Sequence, residues 1–459
     1  MATITQQLIH NVLDTRYEDF SKDVIRDAKN QLMDIAAVTV SGISGSGNSS
    51  LLDLVRQWGG RKEATILGLG DRVPLPLAAM MNSLQCRSYD HEVVGPYPFG
   101  ENDGKFAGHV ESTTVPCALS VAEYLGSNGK DLIAAIVLGG DLAARIAIAQ
   151  QLNFEQPFDP IGTANAIGAV GLTGRLMGLN EEQMTNALGI IGTQLAGGFR
   201  SLWDGVLTFK LYGAMSARNA ITAVQMANKG FTGLKDPLTG PQGYFACYCV
   251  NPHTEFLTRD LGKEFYVKGC HKKYPSCYGN HYVIDTALDL LQQHEINAED
   301  IAGVTIGTFP GQDKSYLNQP FVMGDSQPKA LFNYRYCAAN ALSRKGARLE
   351  HYTEEALRDP KIIDLAGKVN VAISKQDKNA FELIVKMKSG NEYTSVYKHP
   401  QMRGYPLYPL TEAELTEKFW NNINFNRKVS KKNAQKALDL INDLENVDNV
   451  SSIIKLLVP

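Results

Sequence analysis

No two cysteines in this chain are spaced C-x-x-C, and the seven present (Cys86, Cys117, Cys247, Cys249, Cys270, Cys277, Cys337) are odd in number and scattered. That argues against a structural zinc site, an iron–sulfur cluster and a secreted disulfide framework, and fits reduced thiols in a cytoplasmic protein. Positive charge is not in surplus. The formal net charge is −3, which gives no electrostatic reason to expect nucleic acid or an acidic membrane as a partner. No G-x-G-x-x-G follows a strand pattern and no G-x-x-x-x-G-K-[ST] occurs, so a nucleotide cofactor is not expected. G-x-S-x-G is also missing, and Gly45-Ser46-Gly47 lacks the strand-to-helix setting of a nucleophile elbow. The opening Met1-Ala2-Thr3-Ile4-Thr5-Gln6 has no basic segment leading into an apolar core, so no signal peptide is expected. The most apolar stretch, Leu132 to Ala149, carries Asp141 and Arg145 and reads as a buried helix of a soluble domain, not a membrane span.

At 459 residues the chain exceeds one ordinary core, so two domains are the prior, with three possible. Its first part is helical by pattern. Ser21 is placed to cap a helix that carries Val24, Ala28, Leu32 and Ile35 on one face. Further helices are predicted over 48–58, 76–88, 113–125, 129–150, 163–177, 181–195 and 211–228. Small residues recur in them, as in Ala164-Asn165-Ala166-Ile167-Gly168-Ala169-Val170-Gly171, and predict close helix–helix packing. After about residue 265 the pattern changes. A helix over 279–293, strands over 303–309 and 369–373, and a hairpin turning at Ser389-Gly390-Asn391 predict an α+β unit. Helix returns from Thr411. The expected class is mainly α with α+β: helical segments 1–265 and 406–459 forming one domain, with 266–405 inserted as an α+β unit.

Four clusters carry groups that do chemistry. Ser88-Tyr89-Asp90-His91-Glu92 and Gly108-His109-Val110-Glu111-Ser112 flank a Gly- and Pro-rich loop between two helices. Titratable residues at helix ends around a long loop are a common active-site arrangement. Adjacent Asp90 and His91 do not share a helical face, so general acid–base work fits better than metal binding. Asp159 precedes a small-residue helix, where a capping role suffices on its own. Lys210 sits among apolar and small residues, a costly place for an ammonium unless an anion pairs with it. The run from His271 to His281 packs two lysines, two histidines, a cysteine and a proline into eleven residues before a helix. It reads as an anion receptor, with a basic surface loop as the alternative. Cys277 stands near His271 and His281 in sequence, but proximity along the chain is not the geometry a thiolate–imidazole pair needs.

Taken in order, these clusters resemble the MmgE/PrpD family over essentially the whole chain. Asn82 through Asp90 is similar to the family's "N-G…D-F-D-D" segment. His109 falls on the histidine of "H-P-S", Thr208-Phe209-Lys210 with Gly213 and Ala214 resembles "T-K-x-x-x-G-x-A", and Lys272-Lys273-Tyr274-Pro275 resembles "K-[KR]-[FWY]-P". Tyr334 falls on a substrate-site tyrosine of the decarboxylases. Departures are equally visible: Glu92 and Val94 stand for an aspartate and a threonine, and Asp159 for a histidine. Pro275-Ser276-Cys277 replaces "P-A-H", and the run through His281, with Phe309-Pro310-Gly311, is most similar to the epimerase branch.

The resemblance implies a helical domain made by both chain ends, an inserted α+β lid, a homodimer, and no metal or organic cofactor. It implies removal of a proton α to a carboxylate of a small anionic substrate. His109, oriented by Asp90, is expected as acid or base, with Asp159 as a second such group. Lys272 is expected at the developing charge. Lys210, Lys273, Tyr334 and Cys277 are expected to line the substrate. A hydro-lyase is the leading expectation, with an epimerase or decarboxylase next, and an inactive binding protein as the non-enzyme alternative.

Overall fold

The computed structural model describes residues 2–96, 107–150, 158–375, 380–398, 403–405 and 407–459. Two hydrophobic cores organise them. The first collects buried side chains from Leu8 through Val267 and again from Leu410 through Leu457. The second is built chiefly from Tyr274 to Met387, and it also takes Tyr89, Leu202 and Phe209 from the earlier segment.

The helices expected over 48–58, 76–88, 113–125, 129–150, 163–177, 181–195 and 211–228 all form, within a few residues at their ends. Helix Ile4–Asp14, which adds Leu8, Ile9 and Val12 to the first core, lies outside those expectations. Helix Lys22–Ser41 starts at Ser21, whose hydroxyl accepts from the Val24 N–H at 3.3 Å. Helix Gly129–Gln150 lies along helix Ala164–Leu176. Their approach is close enough that a Cβ on Gly168 would meet the Gly139 carbonyl oxygen at 2.4 Å, which explains the small residues there. The apolar 129–150 helix is long enough to cross a membrane by composition, but its apolar surface is spent inside the protein. The two charges in its middle serve each other: Arg145 Nε lies 2.8 Å from Asp141. Arg145 then holds the carbonyls of Arg259 and Glu264, at 2.7 and 2.8 Å, and Asp141 takes the Tyr266 N–H. This charge pair therefore fixes the segment leading into the second core.

A small antiparallel pair, β1 (Ala64–Thr65) and β2 (Arg72–Val73), borders the first core. The second core has a four-stranded sheet of β3 (Ile301–Thr308), β4 (Val369–Ile373), β5 (Ala380–Met387) and β6 (Glu392–Lys398), in the order β4-β3-β5-β6. Strands β3 and β4 are parallel and the other pairs antiparallel. The β5–β6 hairpin turns at Gly390, whose φ of 94° a residue with a Cβ adopts poorly. Helices His281–Gln293 and Pro360–Gly367 each pack on Tyr334–Arg344, and His281–Gln293 and Tyr334–Arg344 also pack on the sheet. The tail re-enters helix at Thr411, which caps Glu412–Asn426, and that helix packs against Lys22–Ser41.

Candidate active site

Helix Leu75–Cys86 ends in a turn that folds back at Asp90, where φ is 49°. Aspartate is among the few side chains that enter this left-handed region readily. The reversal brings Asp90 and Glu92 back onto Arg87, which is 3% exposed and pairs with both carboxylates, with Nη1 2.9 Å from Glu92 Oε1. The guanidinium lies 5.3 Å over the Phe209 ring.

Two backbone contacts bring the remaining groups in. Val94 and Cys270 form an isolated antiparallel bridge, with N–H···O distances of 2.9 and 2.7 Å. Two residues further on, Lys272 reaches Asp90 and touches both its carboxylate (2.7 Å) and its carbonyl oxygen (2.7 Å). Gly95 bridges His109 in parallel, which sets His109 beside the same turn. Its Nδ1 lies 2.6 Å from Glu92 Oε1 and its Nε2 lies 3.4 Å from Arg87 Nη2. Ser112 and Asn165 both donate to the His109 carbonyl and hold its backbone.

Electrostatics follow from this packing. Burial would raise the Glu92 carboxyl, but Arg87, Lys272 and His109 together hold it well below the usual carboxylate range. Burial, and then Arg87, lower His109 to about 3, so its ring is neutral at ordinary pH with the proton on Nδ1 toward Glu92. Burial lowers Lys272 to about 8, with Glu92 opposing the shift. Asp159 caps the short turn Pro160–Gly162 by accepting from the Ile161 N–H at 2.9 Å, and burial pushes its carboxyl up to about 6 against the pull of Arg87.

Lys210 is buried below the turn, with Nζ donating to Ser46 O (2.7 Å), Asn48 Oδ1 (2.6 Å) and Ser88 Oγ (3.3 Å). Burial lowers it to about 7. Among the described residues no carboxylate stands within ion-pair distance of it. It therefore supports the Ser88–Asp90 turn directly. From the second core, Cys277 Sγ lies 3.6 Å from Tyr316 Oη, and the buried Tyr334 donates to Gln312 at 3.4 Å. Tyr316 is within electrostatic reach of Arg87, and Cys277 of Lys272, so this group borders the cluster from the side of the second core.

Several expectations need correction in detail. The carboxylate on His109 Nδ1 is Glu92, while Asp90 is taken up by Arg87 and Lys272. Lys273 does not join its neighbour: the chain bends from Lys273 onward, and Lys273 lies 3.5 Å from Asp285 beside a separate cavity of about 430 Å³. Neither His271, on Asp34, nor His281, on the Tyr274 carbonyl, pairs with Cys277 among the described residues. Arg87 and Tyr316 escaped the sequence reading. Arg87 stands three residues before Asp90 and five before Glu92, the one local signal that could have marked it.

Asp90, Glu92 and His109 bring potential ligand atoms within 4.8 Å of one another. The same carboxylates already face Arg87 and Lys272, whose charges would repel a divalent ion, so the donor set fits organic acid–base chemistry better than a metal. What remains is a largely buried group of two cations, two carboxylates, a neutral imidazole that is its partly exposed member, and a carboxyl that changes charge near pH 6.

The chain matches the family models described as the MmgE/PrpD N-terminal domain, over residues 6–257, and the MmgE/PrpD C-terminal domain, over residues 274–446. It is 21% identical to a cis-aconitate decarboxylase-like protein, oryM, of Aspergillus oryzae, across 99% of this chain and 97% of the relative. It is 24% identical to a cis-aconitate decarboxylase of Aspergillus terreus, across 53% of this chain and 49% of the relative.

Proposed function

The chain belongs to the MmgE/PrpD family, and from that premise we propose that it is a lyase acting on a small di- or tricarboxylate, with a hydro-lyase as its specific type. The observation that carries this reading is the buried Arg87–Glu92–His109 group beside Lys272. A proton α to a carboxylate is weakly acidic. Its removal needs a positioned base and cations where the enediolate charge develops. His109 takes that proton at Nε2, where the substrate displaces the long 3.4 Å contact from Arg87, and Lys272 lies where it can offset the growing charge. In dehydration the electron pair then returns to expel the β-hydroxyl. Asp159, protonated in part near pH 6, supplies the proton that lets hydroxide leave as water.

Epimerisation is the second reading, and one contact favours it. The Cys277–Tyr316 pair brings proton-bearing groups from the second core to the edge of the cluster. Reprotonation of the same enediolate from there would invert the carbon without loss of water.

Proton–deuterium exchange followed by NMR over citrate-like, aconitate-like and aspartate-like acids separates these outcomes. A hydro-lyase exchanges the α-proton and accumulates unsaturated acid. His109→Ala should lower the exchange rate by about 10²–10⁴-fold, while Cys277→Ala should leave it near the native rate. Exchange without net conversion, abolished by Cys277→Ala, would replace dehydration with epimerisation. No exchange with any acid in the panel would end the proposal.

A further inference from the structure

We infer that Arg87 is a positioning residue for His109, setting both the tautomer and the charge of the imidazole through one guanidinium. The inference rests on His109 being the acid–base group, as proposed above. The geometry is a closed triangle. Arg87 Nη1 is 2.9 Å from Glu92 Oε1, the same oxygen that lies 2.6 Å from His109 Nδ1, and Arg87 Nη2 is 3.4 Å from His109 Nε2. One side chain thus touches both ends of the imidazole–carboxylate pair.

A guanidinium only donates hydrogen bonds and does not lose its proton in proteins. A donor aimed at Nε2 is compatible with a lone pair there and incompatible with a second N–H. The neutral ring must then carry its proton on Nδ1, where Glu92 accepts it. Protonating Nε2 would set two N–H groups and two like charges against each other. Lys272, from the domain junction, adds to the positive side, while Asp90 is engaged by Arg87 and Lys272 and leaves Glu92 as the opposing charge. Phe209, 5.3 Å beneath the guanidinium, helps hold its plane. The lowered imidazole, about 3, has burial as its first cause and Arg87 as its second. The result is a ring kept neutral at ordinary pH, with its Nε2 lone pair held by Arg87 until a substrate takes that place. Once protonated it is an acid that returns its proton readily, which suits a proton shuttled to and from an enediolate.

Nitrogen-15 histidine NMR on the full chain tests this directly, with the His109 signal assigned by its loss in His109→Gln. In the native protein the ring should remain neutral and Nδ1-protonated between about pH 5 and 8. Arg87→Gln should raise its midpoint by about one pH unit or more, and the acid limb of α-proton exchange should move up with it. Arg87→Lys, which keeps the charge, should restore most of the low midpoint. An unchanged midpoint in Arg87→Gln, or an Nε2-protonated ring in the native protein, overturns the inference. If Arg87→Gln does not fold, the native titration decides alone: a midpoint at or above the ordinary 6.5 overturns it. The ring signal does not depend on which acid is turned over. The expected titration without exchange on any acid would therefore uphold the Arg87 role and sink the proposed function.

Discussion

Lys210 and Asp159 show how a single buried group can serve stability and chemistry with opposite signs. The Lys210 ammonium gives its hydrogens to three oxygens, of Ser46, Asn48 and Ser88, while burial works against its charge. Lys210→Met removes the donor and leaves buried acceptors without partners. It should lower unfolding free energy by about 1–3 kcal/mol in denaturant titration, and it should loosen the turn that carries Asp90. Asp159 is the reverse case. Burial raises its carboxyl from 3.8 to about 6, so the folded state binds its proton more tightly than the unfolded chain. Its contribution to stability is present below the unfolded value and is lost as pH rises through about 6. Across that window the loss is roughly 3 kcal/mol. Asp159→Asn carries no such proton, so its stability relative to the native protein should climb between about pH 4 and 7. Parallel pH profiles for the two proteins would refute this. For activity the same substitution removes the proposed acid, so dehydration should fall more than α-proton exchange.

Between residues and domains, the site depends on elements that meet at single points. The Val94–Cys270 bridge gives Lys272 its reach to Asp90, and the Lys418 ammonium on helix Glu412–Asn426 holds the same turn from behind. Lys418 donates to the His91 carbonyl at 2.7 Å and pairs with Asp34 at 2.7 Å, and Asp34 also takes His271. Lys418→Met strands the buried Asp34 with His271 alone. It should cost about 3–5 kcal/mol by denaturant unfolding, and a cost under 1 kcal/mol would show the network to be slack. Helix packing is equally exacting at Gly168, where backbone oxygen and the Ala143 Cβ already crowd the position. Gly168→Val should destabilise the protein by about 1–3 kcal/mol or more, visible as a lower Tm, whereas the same change at the open Gly192 should cost far less.

At the scale of the whole molecule, the first core draws on both ends of the chain. Phe419, Ile423, Leu438, Ile441, Val450 and Ile454 are buried in it, although they follow the second core in sequence. A chain ending at residue 405 would leave their partners on helices Lys22–Ser41 and Gly129–Gln150 exposed to water. It should give no cooperative unfolding transition and should bind hydrophobic dye. A sharp transition in that shortened chain would contradict this account of the core.

Local chemistry was enough to read much of this from the residues. Ser21 and Thr411 announce helix starts because their hydroxyls satisfy orphan N–H groups. The β5–β6 hairpin follows from alternation around Ser389-Gly390-Asn391. The mainly helical class with a small sheet follows from the change in period, and the family follows from motifs in a fixed order. These are short-range properties, so the sequence by itself determined them. Which carboxylate meets which cation was decided only in three dimensions. From the motifs alone Asp90 is the expected partner of His109, with Glu92 only two residues further on. The left-handed backbone at Asp90 turns one toward Lys272 and leaves the other for the imidazole. Lys272 and Lys273 are alike in sequence, yet one is wholly buried on Asp90 and the other, where the chain bends, lies half in water beside Asp285. Arg87 became central only when the turn closed on it, since its partners lie on three segments that only the tertiary fold brings together.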